Sequence, residues 1–240
     1  MRNRLPDLPL PDQHGRTWLI TGATNGLGRE TARAAARAGA RILLTSRDKD
    51  RGQQVAAALG DARVIALDFT DLASVRAGSA TVDEPIDVLV NCAGGLTTSR
   101  SETVDGHESV LAMNVLGPFA LTNLVADRLR GRVVIVGSNS HRQVHLDLED
   151  LQLRRGWNPM KAYGRSKLAD MLWALELGRR LEMTGVSVML AHPGWALTNI
   201  QNRFGRGRMP RSRRCRRCGR SRRPMAPSRS CTPPPVRCRR

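Results

Sequence analysis

Between Thr17 and His192, short apolar runs alternate with longer amphipathic stretches. A strand buried on both faces needs an unbroken apolar run, whereas a covering helix needs only one apolar stripe. The alternation therefore predicts a parallel sheet with helices on both sides. The runs at 18–21, 41–45, 64–67, 88–91, 133–136 and 186–191 read as six strands. The stretches at 26–38, 53–59, 72–77, 107–130 and 161–183 read as helices, each returning the chain in the right-handed sense that parallel pairing demands. The expected fold class is α/β, a doubly wound parallel sheet in three layers. In such sheets ligands lie beyond the carboxyl ends of the strands, so function is expected at the loops starting near Gly22, Ser46, Asp68, Cys92, Gly137 and His192.

The pattern stops after Asn202. Of the 38 residues from Arg203 onward, 32 are Arg, Pro, Ser, Cys or Gly, and the few apolar ones have no period. Residues 1–202 are thus expected to form one domain, and 203–240 an arginine-rich, low-complexity, disordered tail with no means of building a core. The whole chain has 240 residues and a net charge of +18, but the tail holds 15 arginines and no acid, which leaves the remainder at +3. With 36 arginines against three lysines, the tail is explained by out-of-frame reading of GC-rich DNA; a natural disordered tail and a small folded module are the other readings. Cys215, Cys218, Cys231 and Cys238 lie in the tail and have the ligand count of a zinc site, but no apolar residues stand around them to fold on a metal, and none is expected. Only Cys92 lies in the patterned region, which suits a reduced, cytoplasmic protein. Residues 1–15 carry prolines and charges where a signal peptide needs an apolar stretch, and no segment reaches the roughly 20 apolar residues of a membrane span.

The first strand ends in Thr21-Gly22-Ala23-Thr24-Asn25-Gly26-Leu27-Gly28 and runs directly into a helix. In this context Gly22 permits a tight turn, Gly26 lets the backbone approach a pyrophosphate, and Gly28 lets the helix pack close to the strand. The helix N-terminus presents free N–H groups to the phosphates. Glycines also mark ordinary turns, and it is the strand before and the helix after that make this one a dinucleotide motif. About 20 residues on, where an acid would grip a ribose 2′-hydroxyl, the chain reads Thr45-Ser46-Arg47. An arginine there either pairs with a 2′-phosphate, favouring NADP(H) over NAD(H), or stands solvated at the surface.

Tyr163 and Lys167 are four apart on one predicted helix, so both side chains project from one face. A phenol ordinarily titrates near 10, and bringing one about 3 units lower takes roughly 4 kcal/mol. One ammonium about 4 Å away at an effective dielectric near 20 supplies about that much, enough to prepare a tyrosine as general acid/base. Ser138 follows the fifth strand at the carboxyl edge, where a hydroxyl can donate to a substrate oxygen; a helix cap or turn is the plain alternative, and Ser140 is the neighbouring candidate. Asn114 lies in an apolar helix with Gly117 and Pro118, and because proline lacks an N–H the carbonyl of residue 114 is expected to be free for water.

Taken together, Thr21 to Gly28, Asn91-Cys92-Ala93-Gly94, Asn114, Ser138, Tyr163-Gly-Arg-Ser-Lys167 and His192-Pro193-Gly194 resemble, in order and spacing, the short-chain dehydrogenase/reductase family. The stretches 113–122 and 162–169 resemble its retinol-dehydrogenase-like branch. The resemblance implies a Rossmann fold and hydride transfer between NADP(H) and a small carbonyl or alcohol substrate, apolar in character. It implies Asn114, Ser138, Tyr163 and Lys167 as catalytic residues, with Asn114 holding a water on a proton relay through the lysine or merely satisfied in a kinked helix. Ser138 rather than Ser140 fits the pattern, standing 25 residues before Tyr163. That gap leaves 141–160 as a loop over the substrate.

For the cofactor the resemblance implies Gly22, Thr24, Asn25, Gly26, Leu27, Gly28, Arg47, Tyr163 and Lys167, and contacts through Asn91, Ala93 and Gly94. It adds Asp68 and Phe69 at the adenine, with helix capping by Asp68 or Asp71 as the alternative. Pro193, Gly194 and Thr198 match the segment bordering the nicotinamide amide. Cys92 replaces the asparagine usual in the family. Relatives continue with a helix, a seventh strand and a segment that helps form the substrate pocket and often a dimer face; this chain is expected to lack that strand, which leaves a homo-oligomer in doubt and its sixth strand an exposed edge. Two rival classes stand beside the enzyme: a nucleic-acid binder using the basic tail, against which the near absence of aromatics there speaks, and a folded, cofactor-binding but inactive fragment.

Overall fold

The computed structural model describes residues 10–194. Six strands, β1 (Thr17–Ile20), β2 (Arg41–Ser46), β3 (Ala62–Ala66), β4 (Ile86–Asn91), β5 (Leu129–Val136) and β6 (Ser187–Ala191), form one sheet in the order β3-β2-β1-β4-β5-β6. Every pairing is parallel. The strand order reverses between β1 and β4, which opens a crevice at their carboxyl ends. The register brings those ends level: Ile20 pairs with Leu44 and Val90, Asn91 with Ile135, and Val136 with Ala191.

Successive strand residues point to opposite faces and build two cores. Leu19, Leu43, Leu89, Val133 and Ile135 face Val75, Leu121, Trp173 and Leu177, whereas Ile20, Ile42, Leu44, Val88 and Val90 face Ala32, Ala35 and Ala56. Each such Leu, Ile or Val contributes about 1.5–3 kcal/mol when fully buried. One layer is made by α1 (Gly26–Arg37) and α2 (Lys49–Ala57), the other by α3 (Leu72–Ala80), α5 (Gly117–Leu124) and α6 (Pro159–Leu181), with a single turn, α4 (Ser109–Leu111), leading into α5. The doubly wound, three-layer sheet expected from the pattern is the fold observed.

Several boundaries differ. The single helix expected over 107–130 is broken into α4, a π-turn (Ala112–Leu116), α5 and a short 3-10 turn (Ala126–Arg128), after which β5 begins at Leu129 rather than at 133. Pro118 has no amide to continue an α-helical ladder, and the chain widens by one residue so that Gly117 N–H reaches back to the Ala112 carbonyl. Arg130 and Arg132, both exposed, interrupt the apolar pattern that would have shown the start of β5. α2 starts four residues earlier than expected because Asp48 caps it, and α6 starts at Pro159 behind an Asn158 cap. Among the described residues β6 pairs only with β5 and ends the sheet. The tail at 203–240, its cysteines and Thr198 lie outside the described residues.

Candidate active site

The turn after β1 is built for close approach. Gly22 has φ +68°, and a Cβ there would lie 2.8 Å from Ala93 Cα on the turn after β4. A Cβ on Gly28 would lie 2.5 Å from the Gly22 carbonyl oxygen, so α1 sits directly on the turn. Thr21 Oγ, fully buried, accepts from the amides of Cys92 and Ala93 at 2.9 and 2.8 Å and so locks the two turns together. The Ala93 amide is therefore not free for a cofactor. α2, α3 and α6 are capped by the side chains of Asp48, Asp71 and Asn158, but Asn25, at the N-cap of α1, makes no capping hydrogen bond and no acid stands in the first turn. The first amides of α1, around Gly26 and Leu27, thus face the crevice unclaimed by a cap, which fits a pyrophosphate.

Asn25 instead accepts from Arg51 Nη2 at 2.7 Å, and the same nitrogen lies 3.5 Å from the Thr24 carbonyl. Arg51 was not legible in the sequence, because the first turn of α2 is polar throughout. Arg47 is exposed at the end of β2. Asp48 beside it accepts from the Arg51 amide as the α2 cap. Asp68 is half-buried; its Oδ1 accepts from Thr70 N and Oγ at 2.9 and 2.8 Å, while Asp71, not Asp68, caps α3. The Phe69 side chain belongs to the core, and both it and the Phe69 carbonyl lie against Gly117.

On the other side of the crevice the groups are side chains. Asn91 is buried and donates to Thr122 Oγ at 3.0 Å, joining β4 to α5. Asn114, on the π-turn, accepts from Gly95 N–H at 2.8 Å and donates to the Gly95 carbonyl at 3.0 Å and to Ser166 Oγ at 2.8 Å. Its side chain is thus a brace between the turn after β4 and α6. A Cβ on Gly94 would lie 3.1 Å from Asn114 Oδ1 and 3.8 Å from Lys167 Nζ, so the amine stands against that turn. Lys167 Nζ donates to the Val136 carbonyl at 3.1 Å and to Asp170 Oδ2 at 2.8 Å, and lies 5.8 Å from the centre of the Tyr163 ring. Tyr163 itself is half-buried.

Asp170 corrects the electrostatic expectation. The single ammonium expected beside Tyr163 is one half of a buried ion pair. Burial works against the Lys167 charge, but Asp170, and after it Tyr163, hold the amine above its ordinary value. Burial pushes the Cys92 thiol up, with Lys167 opposing.

Ser138 caps the 3-10 turn Asn139–Gln143, with its Oγ 3.3 Å from Ser140 N and 3.2 Å from Ser140 Oγ. Its cap role and its position at the carboxyl edge of β5 hold together. The turn is clamped from two sides. Asn139 N–H donates to His192 Nε2 at 3.0 Å, and Gly164 lets α6 close in, since a Cβ there would lie 2.8 Å from Val144 Cγ1 and 2.9 Å from the Ser140 carbonyl. Pro193 and Gly194 follow β6 at the same edge. The loop at 141–160 is tied down: buried Arg165 donates to the carbonyls of Asp147 and Asp150, and Trp157 Nε1 to buried Glu108. Among the described residues no cluster of His, Cys, Asp and Glu could hold a metal ion.

With this geometry in view, the short chain dehydrogenase family model matches residues 16–208. The chain belongs to that family. Retinol dehydrogenase 14 of Mus musculus is 39% identical over 210 residues, covering 78% of this chain and 63% of that protein. This dehydrogenase-family chain therefore spans a little under two thirds of that relative's length. Among solved structures, an uncharacterised protein from Mycobacterium Paratuberculosis is 43% identical with a TM-score of 0.75, covering 81% of this chain and 74% of that one. A short chain dehydrogenase from Burkholderia cenocepacia J2315 in complex with NADP is 29% identical with a TM-score of 0.65, covering 78% and 77%. The family membership and the retinol-dehydrogenase-like resemblance expected from the motifs are both met.

Proposed function

We propose that the chain is an NADP(H)-dependent oxidoreductase that interconverts a carbonyl and an alcohol on an apolar substrate, with Tyr163 as general acid/base. One unbroken series of contacts carries the reading: the glycine turn packs on Ala93, the next residue Gly94 lies against Asn114 and Lys167, and Lys167 lies beside Tyr163. The phosphate cradle and the acid/base pair are thereby parts of one crevice.

When bound, the nicotinamide supplies or accepts the hydride. In the reductive direction Tyr163 donates its proton to the oxygen that becomes the alcohol, and Ser138 donates a hydrogen bond to the same oxygen as charge develops. The Lys167 charge favours the phenolate left behind, and Asn114 fixes the turn on which the cofactor would lie. Thr24, Asn25, Gly26, Leu27 and Gly28 would receive the pyrophosphate, and Asp68 the adenine amine. Asn91, Ala93, Gly94, Pro193, Gly194 and, outside the described residues, Thr198 would border the nicotinamide half. Arg47 at the end of β2 supports a 2′-phosphate, with Asp48 beside it engaged as the α2 cap and Asp50 and Arg51 following in the first turn of α2. The name of the mouse relative supports a retinol-like, apolar substrate. Residues 1–202 as the working domain and a cytoplasmic location remain part of the same reading.

The test is reduction of an apolar aldehyde such as retinaldehyde with NADPH or NADH, before and after Arg47→Ala. Wild-type protein should turn over faster with NADPH, and the variant should lose about tenfold of that preference. Bound NADPH without turnover of any carbonyl compound would instead mark a cofactor-binding protein without activity.

A further inference from the structure

Lys167 and Asp170 lie one turn apart on α6, exposed by only 6% and 1%. An ammonium and a carboxylate withdrawn this far from water are each costly alone and tolerable together. The groups facing the amine are few. Tyr163 comes from its own helix, Cys92 from the turn after β4, the Val136 carbonyl from β5, and Asn114 by way of Gly94. The phenol and the thiol carry no charge while protonated, so Asp170 is the group in this set that can be the anion; burial pushes its carboxyl up, and the Lys167 ammonium beside it opposes that. Its second oxygen, Oδ1, is buried with no hydrogen-bond partner. Asp150, which does structural work in the loop before α6, spends both oxygens on backbone amides, those of Arg154 and Arg155. Asp170 spends its one hydrogen-bonded oxygen on Lys167.

We propose that Asp170 is the counter-ion that keeps the Lys167 amine protonated in its buried site, and thereby a positioning residue for the proton transfer assigned to Tyr163. A buried lysine without a partner gives up its proton, and a neutral amine offers a phenol no positive charge. Pairing weakens the field of the ammonium but secures its presence. The catalytic half of this inference rests on the reading of Tyr163 above; the charge half stands without it.

The chain has three lysines, Lys49, Lys161 and Lys167, so full-length protein grown with lysine isotopically labelled at Cε gives three resolvable NMR signals. In cofactor-free wild-type protein the Lys167 signal should titrate at higher pH than that of exposed Lys49. In Asp170→Asn, which keeps an acceptor and removes the charge, its midpoint should fall by about 2 pH units or more while Lys49 stays in place, and Asp170→Glu should restore it. The pH profile of NADPH-dependent turnover should lose its alkaline side in step with Lys167. A Lys167 midpoint below that of Lys49 in the wild type, or one unmoved in folded Asp170→Asn, overturns the proposal, and the first of these needs no variant to fold. Should the midpoint move as expected while Tyr163→Phe retains full turnover, the counter-ion stands and the catalytic reading of Tyr163 falls.

Discussion

On the β3-β2-β1 side of the crevice the site is mostly backbone, a glycine turn and the uncapped amides of α1, with Arg51 reaching Asn25 from a polar surface. On the β4-β5-β6 side it is side chains in two buried sets, Asn114 bonded to Ser166 and Lys167 bonded to Asp170. Exposed amides can wait for a ligand because water satisfies them meanwhile, whereas buried polar groups must be satisfied by the protein itself. The first side is therefore free to serve binding alone, and the second must serve stability and chemistry together.

The largest effect that would sharpen this contrast is expected from Asn114→Leu. It leaves the Gly95 N–H and carbonyl unpaired in a buried place and should lower stability by about 4 kcal/mol, read from the urea midpoint. Gly28→Val presses a side chain onto the Gly22 carbonyl, and should lower the urea midpoint and weaken NADPH binding by the protein that stays folded about 100-fold, equivalent to about 2.7 kcal/mol. The smallest effect separates a cap from an open helix end. Asp71→Ala should cost about 1 kcal/mol of stability, whereas Asn25→Ala, which removes no cap, should cost less than about 0.5 kcal/mol. Equal losses from the two would break the contrast.

The backbone side was also the side the sequence displayed. Gly22, Gly26 and Gly28 stand between an apolar strand and an amphipathic helix, and a motif set by turn geometry is visible wherever its glycines are. The sheet was equally visible, because strands buried on both faces must be apolar throughout. The side-chain network was not. Thr21 and Asp170 have no signature of their own, since what makes each matter is a partner, Cys92 and Ala93 for one and Lys167 for the other, placed by the fold. Asp170, three past Lys167 and seven past Tyr163, shares their face of α6, so helical periodicity was the one signal that could have found it. The break at 112–116 escaped for a different reason: a proline announces a missing hydrogen bond but not whether the helix will kink, end or widen into a π-turn.

Tyr163→Phe is the most direct test, because it removes one hydroxyl and leaves the glycine turn, the α1 amides and the Lys167–Asp170 pair in place. NADPH affinity should stay within about twofold of the wild type, while turnover of an apolar aldehyde should fall by about 100- to 10,000-fold. Turnover equal to that of the wild type would contradict the assignment of the proton to this tyrosine.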